Sequence, residues 1–157
     1  MAETLRDQFA QGLKEAMKAK EKTAVSTLRL ILAALKDRDV AARTKGQLDG
    51  INDDEILSML QSMIKQRQES ISLYEQGGRC ELAEQERGEV AIIQGFLPKQ
   101  IEGDELNTIV EGVLTEISAA SIKDMGKAMG LLKSRYAGQV DFGKASQLVK
   151  QRLAGAA

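Results

Sequence analysis

Hydrophobic residues recur at helical spacing along almost the whole chain, and no stretch alternates in the manner of a β-strand. Within each segment the apolar positions share one stripe, as expected for a helix that buries one face. Asn52 and Glu55 have the spacing of a capping box, and Gly77-Gly78 ends the helix that follows them. The pattern predicts an all-α fold with helices over about residues 3–18, 22–43, 52–76, 79–95, 104–117, 124–137 and 142–153.

The organisation of the chain is predicted to change near Pro98, its only proline. Proline cannot continue the fourth helix and disfavours helical geometry at the preceding residue. We therefore expect an N-terminal helical domain of about four helices over residues 1–97 and a small three-helix tail domain over residues 98–157. Residues 45–51 contain two glycines and no periodicity, so they are predicted to form a loop.

The third and fourth helices are predicted to form an antiparallel hairpin, because only a short turn connects them. Arg67 and Glu86 are charged residues at positions where the apolar stripes call for hydrophobic ones. We expect the two to form a structural ion pair, which would set the register of the hairpin more than it adds stability. The alternative is that Glu84, Glu86 and Glu89 form a cluster for acid catalysis or metal binding. At these spacings, however, the three carboxylates do not share one face of the helix.

The sixth predicted helix carries two different faces. An apolar stripe is formed by Met125, Ala128, Met129, Leu132 and Tyr136. Beside it lies what we call the glycine seam, a face with almost no side chains formed by Gly126, Gly130, Ser134 and Ala137. A glycine inside a helix costs about 1 kcal/mol relative to alanine, so something is expected to approach this backbone closely. It is either another helix of the same domain or a ligand.

Lys127 and Lys133 border the glycine seam on its two sides, so an anionic phosphate chain could lie against the glycines and be held by both. Arg135 follows in the same basic region. Gly138 is suited to the left-handed position that ends a helix, and Asp141 to the cap of the next one. The sequence thus predicts a nucleic-acid-binding site at Gly126, Lys127, Gly130, Lys133 and Arg135.

The composition restricts the possible chemistry. There is no histidine and a single cysteine, Cys80, which excludes an internal disulfide and the usual zinc sites. Without histidine, Ser-His and Cys-His catalysis is also excluded, and any catalysis would rest on carboxylates or lysine. We expect no metal, no cofactor and no catalytic residues in this chain. No stretch approaches the ~20 apolar residues of a membrane span, and a cytoplasmic location is predicted.

The near-neutral formal charge of −1 conceals an uneven distribution. From residue 121 onward seven basic residues face two acidic ones, a net charge of +5, whereas residues 51–103 hold five basic and ten acidic residues. The first 45 residues interleave ten basic with six acidic side chains. Interleaved charge is typical of a solvated helix face, so the basic tail is the stronger candidate for an anionic partner.

Several motifs occur together and in order: KQR-x-ES, GGR-x-ELAEQE, LP-x-Q and MGK-x-MG. With LRLILAALK near the start and DMGKAMGLLKSRYAGQVD near the end, this chain resembles the GatB/YqeY family over essentially its whole length. The resemblance implies an N-terminal helical domain followed by a three-helix tail. A similar tail ends the B subunit of the tRNA-dependent amidotransferase, and related domains are joined to some glutaminyl-tRNA synthetases.

In those proteins the tail is associated with binding tRNA. Carried over position by position, its glycine motif falls on Gly126, Lys127, Gly130, Gly138 and Asp141. Phe142-Gly143 departs from the proline or small residue often found after that aspartate. The kinase-like, ATP-binding and glutaminase parts of the larger enzymes have no counterpart in these 157 residues.

The resemblance therefore implies a tRNA-associated binding module that resembles the accessory part of the glutamine-dependent amidotransferase. Its partners would be tRNA and an aminoacyl-tRNA synthetase or amidotransferase. The alternatives are a protein–protein adaptor for a translation enzyme, or amidotransferase activity, a carbon–nitrogen ligase with glutamine as amido donor, within a complex. A glutaminase normally uses an activated Cys or Ser, and Cys80 has no histidine to activate it.

Overall fold

The structure, a computed structural model, describes residues 2–155 and confirms the predicted all-α fold, since these residues contain no strand. A single 3₁₀ turn, Ile122–Asp124, precedes the sixth helix. The helices are α1 (Leu5–Ala19), α2 (Lys22–Thr44), α3 (Asp53–Gln76), α4 (Cys80–Gln94), α5 (Gly103–Glu116), α6 (Met125–Arg135) and α7 (Phe142–Gly155). Each lies within a few residues of its predicted span.

The chain divides into two compact units, residues 1–97 and 98–157, each with its own hydrophobic core. In the first unit α1 to α4 bury a core whose fully enclosed members include Phe9, Ile31, Leu60 and Ile93. The rings of Phe9 and Phe96 meet edge to face with their centroids 5.0 Å apart. The division into an N-terminal domain over residues 1–97 and a tail domain over residues 98–157 stays a prediction.

The second unit is built from α5, α6 and α7 around an aliphatic core. Leu132, Val110, Val140 and Val149 are fully buried there, and Ala128 lies among them. Met125, Met129 and Tyr136 pack against this core while half-buried, which confirms the predicted apolar stripe of α6.

Two predicted helix starts are made by side-chain caps. Asn52 and Glu55 form the complete capping box at the start of α3. Asp141 accepts hydrogen bonds from the backbone N–H groups of Gly143 and Lys144, so it caps α7 although Phe142-Gly143 follows it. Gly138 is left-handed as predicted, with φ +75°, but α6 already ends at Arg135, so Gly138 lies in the turn from Tyr136 to Gln139 rather than at the end of the helix.

The segment before α5, residues 98–102, is not helical but is bonded to the turn between α6 and α7. The backbone N–H of Ile101 donates to the carbonyl of Gln139 at 2.7 Å, and Gln100 Nε2 donates to the carbonyl of Gly138 at 2.7 Å. The Ile101 side chain is buried in the second core. We call residues 98–102 the N-terminal strap of the second unit.

The predicted partner of Arg67 was wrong. Arg67 Nε donates to Glu89 Oε2 at 2.9 Å rather than to Glu86, and its Nη1 donates to the carbonyl of Met63 at 3.1 Å. Three residues connect the helices, so the centre of the turn is Gly78. Arg67 lies eleven positions before this residue and Glu89 eleven positions after it.

Glu86 is half-buried beside this pair. Burial raises the pKa of the Glu86 carboxyl, and the negative charge of Glu89 adds to the increase, while Arg67 acts in the opposite direction. Glu89 and Arg67 keep only 10% and 13% of their side-chain surface exposed, so the pair is the most enclosed ionic contact among the described residues. The hairpin is therefore aligned by a desolvated charge pair.

The loop before α3 is attached to α2 through Asp39. Both guanidinium amino groups of Arg6 bind the Asp39 carboxylate, at 2.7 and 2.8 Å, and the backbone N–H of Ile51 donates to Asp39 Oδ1 at 2.9 Å. These hydrogen bonds lower the pKa of Asp39 to about 2, with Arg6 as the main cause. Gly50 passes so close that a Cβ there would lie 2.3 Å from Asp39 Oδ1.

Candidate nucleic-acid interface

The part of the glycine seam that lies on α6 faces solvent, whereas Ala137 follows the helix and is half-buried. Gly126, Gly130 and Ser134 are exposed, and a Cβ built on either glycine would meet no atom within 4 Å in the described part of the chain. The interpretation that another helix of the same domain packs on this seam is therefore wrong. The core contacts of α6 are made by its opposite side, through Ala128 and Leu132.

Lys127 and Lys133 are exposed at the two borders of this open face. Neither makes an ion pair with any described residue. Asp124 lies close enough to Lys127 for the lysine charge to contribute to its lowered pKa, but the main cause is hydrogen bonding to the backbone N–H groups of Ala120 and Ser121. The carboxylate is thus engaged in capping, and both ammonium groups face water.

Arg135 has a different environment from the two lysines. Its guanidinium binds the carboxylate of Glu116 in a bidentate contact at 2.6 and 2.7 Å, and this pairing raises the pKa of Arg135 and lowers that of Glu116. The contact joins the end of α6 to the end of α5. The structure therefore brings Lys127 and Lys133 to the seam but holds Arg135 in a contact with α5.

A second arginine of the basic tail is also paired, because Arg152 on α7 contacts Glu111 on α5. Residues 98–157 as a whole hold eight basic and seven acidic residues, a net charge of +1. Neither carboxylate was predicted as a partner, since each lies many residues from its arginine and no local spacing connects them. Among the described residues from 121 onward, the cations without an ion pair are exposed lysines: Lys123, Lys127, Lys133, Lys144 and Lys150.

Cys80 is exposed at the start of α4, at the rim of a shallow depression lined by residues 78–82. The described residues contain no group of three potential metal ligands. None of the helices in the described range is long and apolar enough to cross a membrane.

Comparison with known proteins identifies one family. A family model described as Yqey-like protein matches residues 6–153. Several curated relatives share the name "Altered inheritance of mitochondria protein 41, mitochondrial". The protein of that name from Eremothecium gossypii is 37% identical over 87 residues, covering 55% of this chain and 45% of the relative.

Two further relatives of that name are less identical to this chain over longer stretches. The one from Lachancea thermotolerans is 29% identical over 114 residues, covering 71% of this chain and 58% of the relative. The one from Saccharomyces cerevisiae is 28% identical over 95 residues, covering 60% of this chain and 49% of the relative. The chain thus matches only about half the length of these curated relatives.

The relatives overturn one prediction. A cytoplasmic location was expected because no stretch is long and apolar enough to span a membrane, but these three curated relatives are named as mitochondrial proteins. The expectation of a cytoplasmic protein is therefore wrong.

Proposed function

Because the chain belongs to the Yqey-like protein family, we propose that it is a tRNA-binding module whose contact with the nucleic-acid backbone is the glycine seam of α6. The proposal rests on the resemblance of its tail to the tail domain of the tRNA-dependent amidotransferase. The single observation that carries it is the open space over Gly126 and Gly130 between two unpaired lysines.

The chemistry of the seam suits a phosphate backbone. With no side chain on the glycines, a phosphodiester can approach the helix closely, and each lysine can neutralise one charge. The aromatic residues of this unit, Tyr136 and Phe142, are half-buried against the core, so stacking on unpaired bases has no platform there. Recognition would depend on backbone and shape rather than on base sequence.

The lysines provide the first test. In the full chain, Lys127→Ala combined with Lys133→Ala should lower the salt slope of tRNA binding by about 2, one contact for each residue, and weaken all tRNAs alike. Lys144→Ala combined with Lys150→Ala is the matched control, because it removes the same charge from exposed positions of α7. If the seam variant retains the affinity and slope of the parent protein, the site is elsewhere.

The glycine provides a second readout in the same experiment. Gly130→Leu should weaken tRNA binding by steric exclusion, while the melting temperature stays equal or rises, because a mid-helix glycine costs about 1 kcal/mol and the space is open. Loss of the fold in this variant would contradict the exposed seam. Unchanged binding with a raised melting temperature would contradict the backbone site.

A protein adaptor is the second candidate, and the same open face favours it, since small residues also admit close approach of a partner helix. Binding of a translation enzyme that is insensitive to salt and nuclease would support the adaptor over the tRNA module. Amidotransferase activity in a complex is the weakest candidate, because exposed Cys80 has no histidine anywhere in the chain to activate it.

A further inference from the structure

The outward face of α2 carries a row of positive charge that shares no residue with the glycine seam. Four basic residues recur every seven positions, so each step advances about 10 Å and rotates only about 20° around the helix. All four are exposed, and together they extend over ~30 Å. We call them the cationic stripe: Lys22, Arg29, Lys36 and Arg43.

Ion pairs within α2 do not neutralise these four positive charges. On an ordinary solvated helix face, cations are neutralised by acids three or four residues away. Among such neighbours of the stripe within α2 only Asp39 is acidic, and both its oxygens are bound to Arg6 while one also accepts from Ile51. Across the described residues, none of the four cations forms an ion pair.

Basic and acidic residues are interleaved along this part of the sequence, but in the folded protein the four cations lie on one exposed face of α2. The other face of α2, with Leu28, Ile31 and Leu35, is buried in the core of the first unit. Between the cations the exposed face carries Ser26, Ala33 and Val40, and one acid, Asp37, lies beside it. The result is a long cationic surface with mostly small residues between the charges.

We propose that the cationic stripe binds the phosphate backbone of a nucleic-acid duplex. A duplex presents one negative charge per ~1.7 Å of axis, or roughly 18 over the length of the stripe, so each cation can reach a phosphate. Helix α2 has no aromatic residue, and therefore offers no stacking platform for a single strand. A membrane surface fits less well, because the apolar face of α2 is already used in the core.

This inference goes beyond the proposed tRNA function, since the stripe lies in residues 1–97 and the glycine seam in residues 98–157. The two have separate tests. In a Lys127→Ala/Lys133→Ala background the contribution of the stripe should be retained. If the Lys127→Ala/Lys133→Ala variant binds tRNA like the parent while substitutions in the stripe weaken duplex binding, the proposed function is contradicted and this inference still stands.

The test uses the full chain and fluorescently labelled 24-base-pair RNA and DNA duplexes, with anisotropy measured at 50 and 200 mM salt. Arg29→Gln combined with Lys36→Gln should lower the salt slope by about 1.8. Between the two salt concentrations the parent should then lose about tenfold more affinity than the variant. The charge-retaining variant Arg29→Lys/Lys36→Arg should keep the slope of the parent.

The matched control is Lys65→Gln combined with Arg79→Gln, which removes two exposed and unpaired cations from α3 and the turn after it. This control should retain the parent slope. An equal loss in stripe and control variants would overturn the proposal, as would a parent that binds neither duplex. Binding of the parent to phosphatidylserine vesicles and not to the duplexes would overturn it in favour of a membrane surface.

Discussion

Individual residues of the α3–α4 hairpin show how a charge can define a fold without adding much to its stability. The Arg67–Glu89 pair is largely removed from water, so its attraction must offset the desolvation of both groups. Removing one member leaves the other as a buried uncompensated charge, whereas removing both leaves a site that apolar side chains can fill.

This predicts strong coupling between Arg67 and Glu89. Arg67→Met and Glu89→Leu should each lower the free energy of unfolding by about 3 kcal/mol, and the double variant should lose at least about 1 kcal/mol less than the sum. Chemical denaturation of the four proteins gives the coupling energy.

Glu86→Leu is the control for that cycle, because Glu86 lies near Arg67 without a hydrogen bond to it. Its coupling to Arg67→Met should be clearly smaller. Equal coupling of both glutamates would mean that Arg67 alternates between them.

At the scale of elements, the helices were predictable and their partners were not. Local signals such as the Asn52–Glu55 box and Asp141 act within a few residues, so the sequence contains them in readable form. The pairs Arg67–Glu89 and Arg135–Glu116 depend on how separate helices pack against each other. The same is true of the glycine seam, since exposure is decided by residues far away in the chain.

The loop between α2 and α3 provides a prediction at this scale. Gly50 and Gly46 both have positive φ, +85° and +94°, so alanine introduces similar backbone strain at each. Only at Gly50 would the new Cβ collide with Asp39, whereas at Gly46 it meets open space. Gly50→Ala should therefore cost at least about 1 kcal/mol more in unfolding free energy than Gly46→Ala.

Thermal or urea denaturation of these two variants measures the difference, and the matched strain at Gly46 serves as the control. Equal destabilisation would show that the contact between Asp39 and the loop is not a constraint on the fold.

The whole molecule contains two separate hydrophobic cores, and this arrangement has a testable consequence. Leu60 and Leu132 are both fully buried, one in each core. Truncation to alanine should cost about 2–5 kcal/mol at either position. If the units unfold separately, Leu60→Ala should increase amide exchange only in residues 1–97, and Leu132→Ala only in residues 98–157.

Hydrogen exchange followed by mass spectrometry distinguishes the two regions, with each variant serving as the control for the other. Increased exchange throughout the chain in both variants would establish a single cooperative unit and contradict the predicted division into two domains.

The N-terminal strap also determines where the domain boundary must be placed if the second unit is transferred to another protein. A boundary drawn at the first residue of α5 would discard residues 98–102. It would remove the Ile101 side chain from the core and leave the carbonyls of Gly138 and Gln139 without these two donors. A transplantable tail therefore begins at Pro98, the first residue of the second unit, and its non-helical start is an integral part of the module.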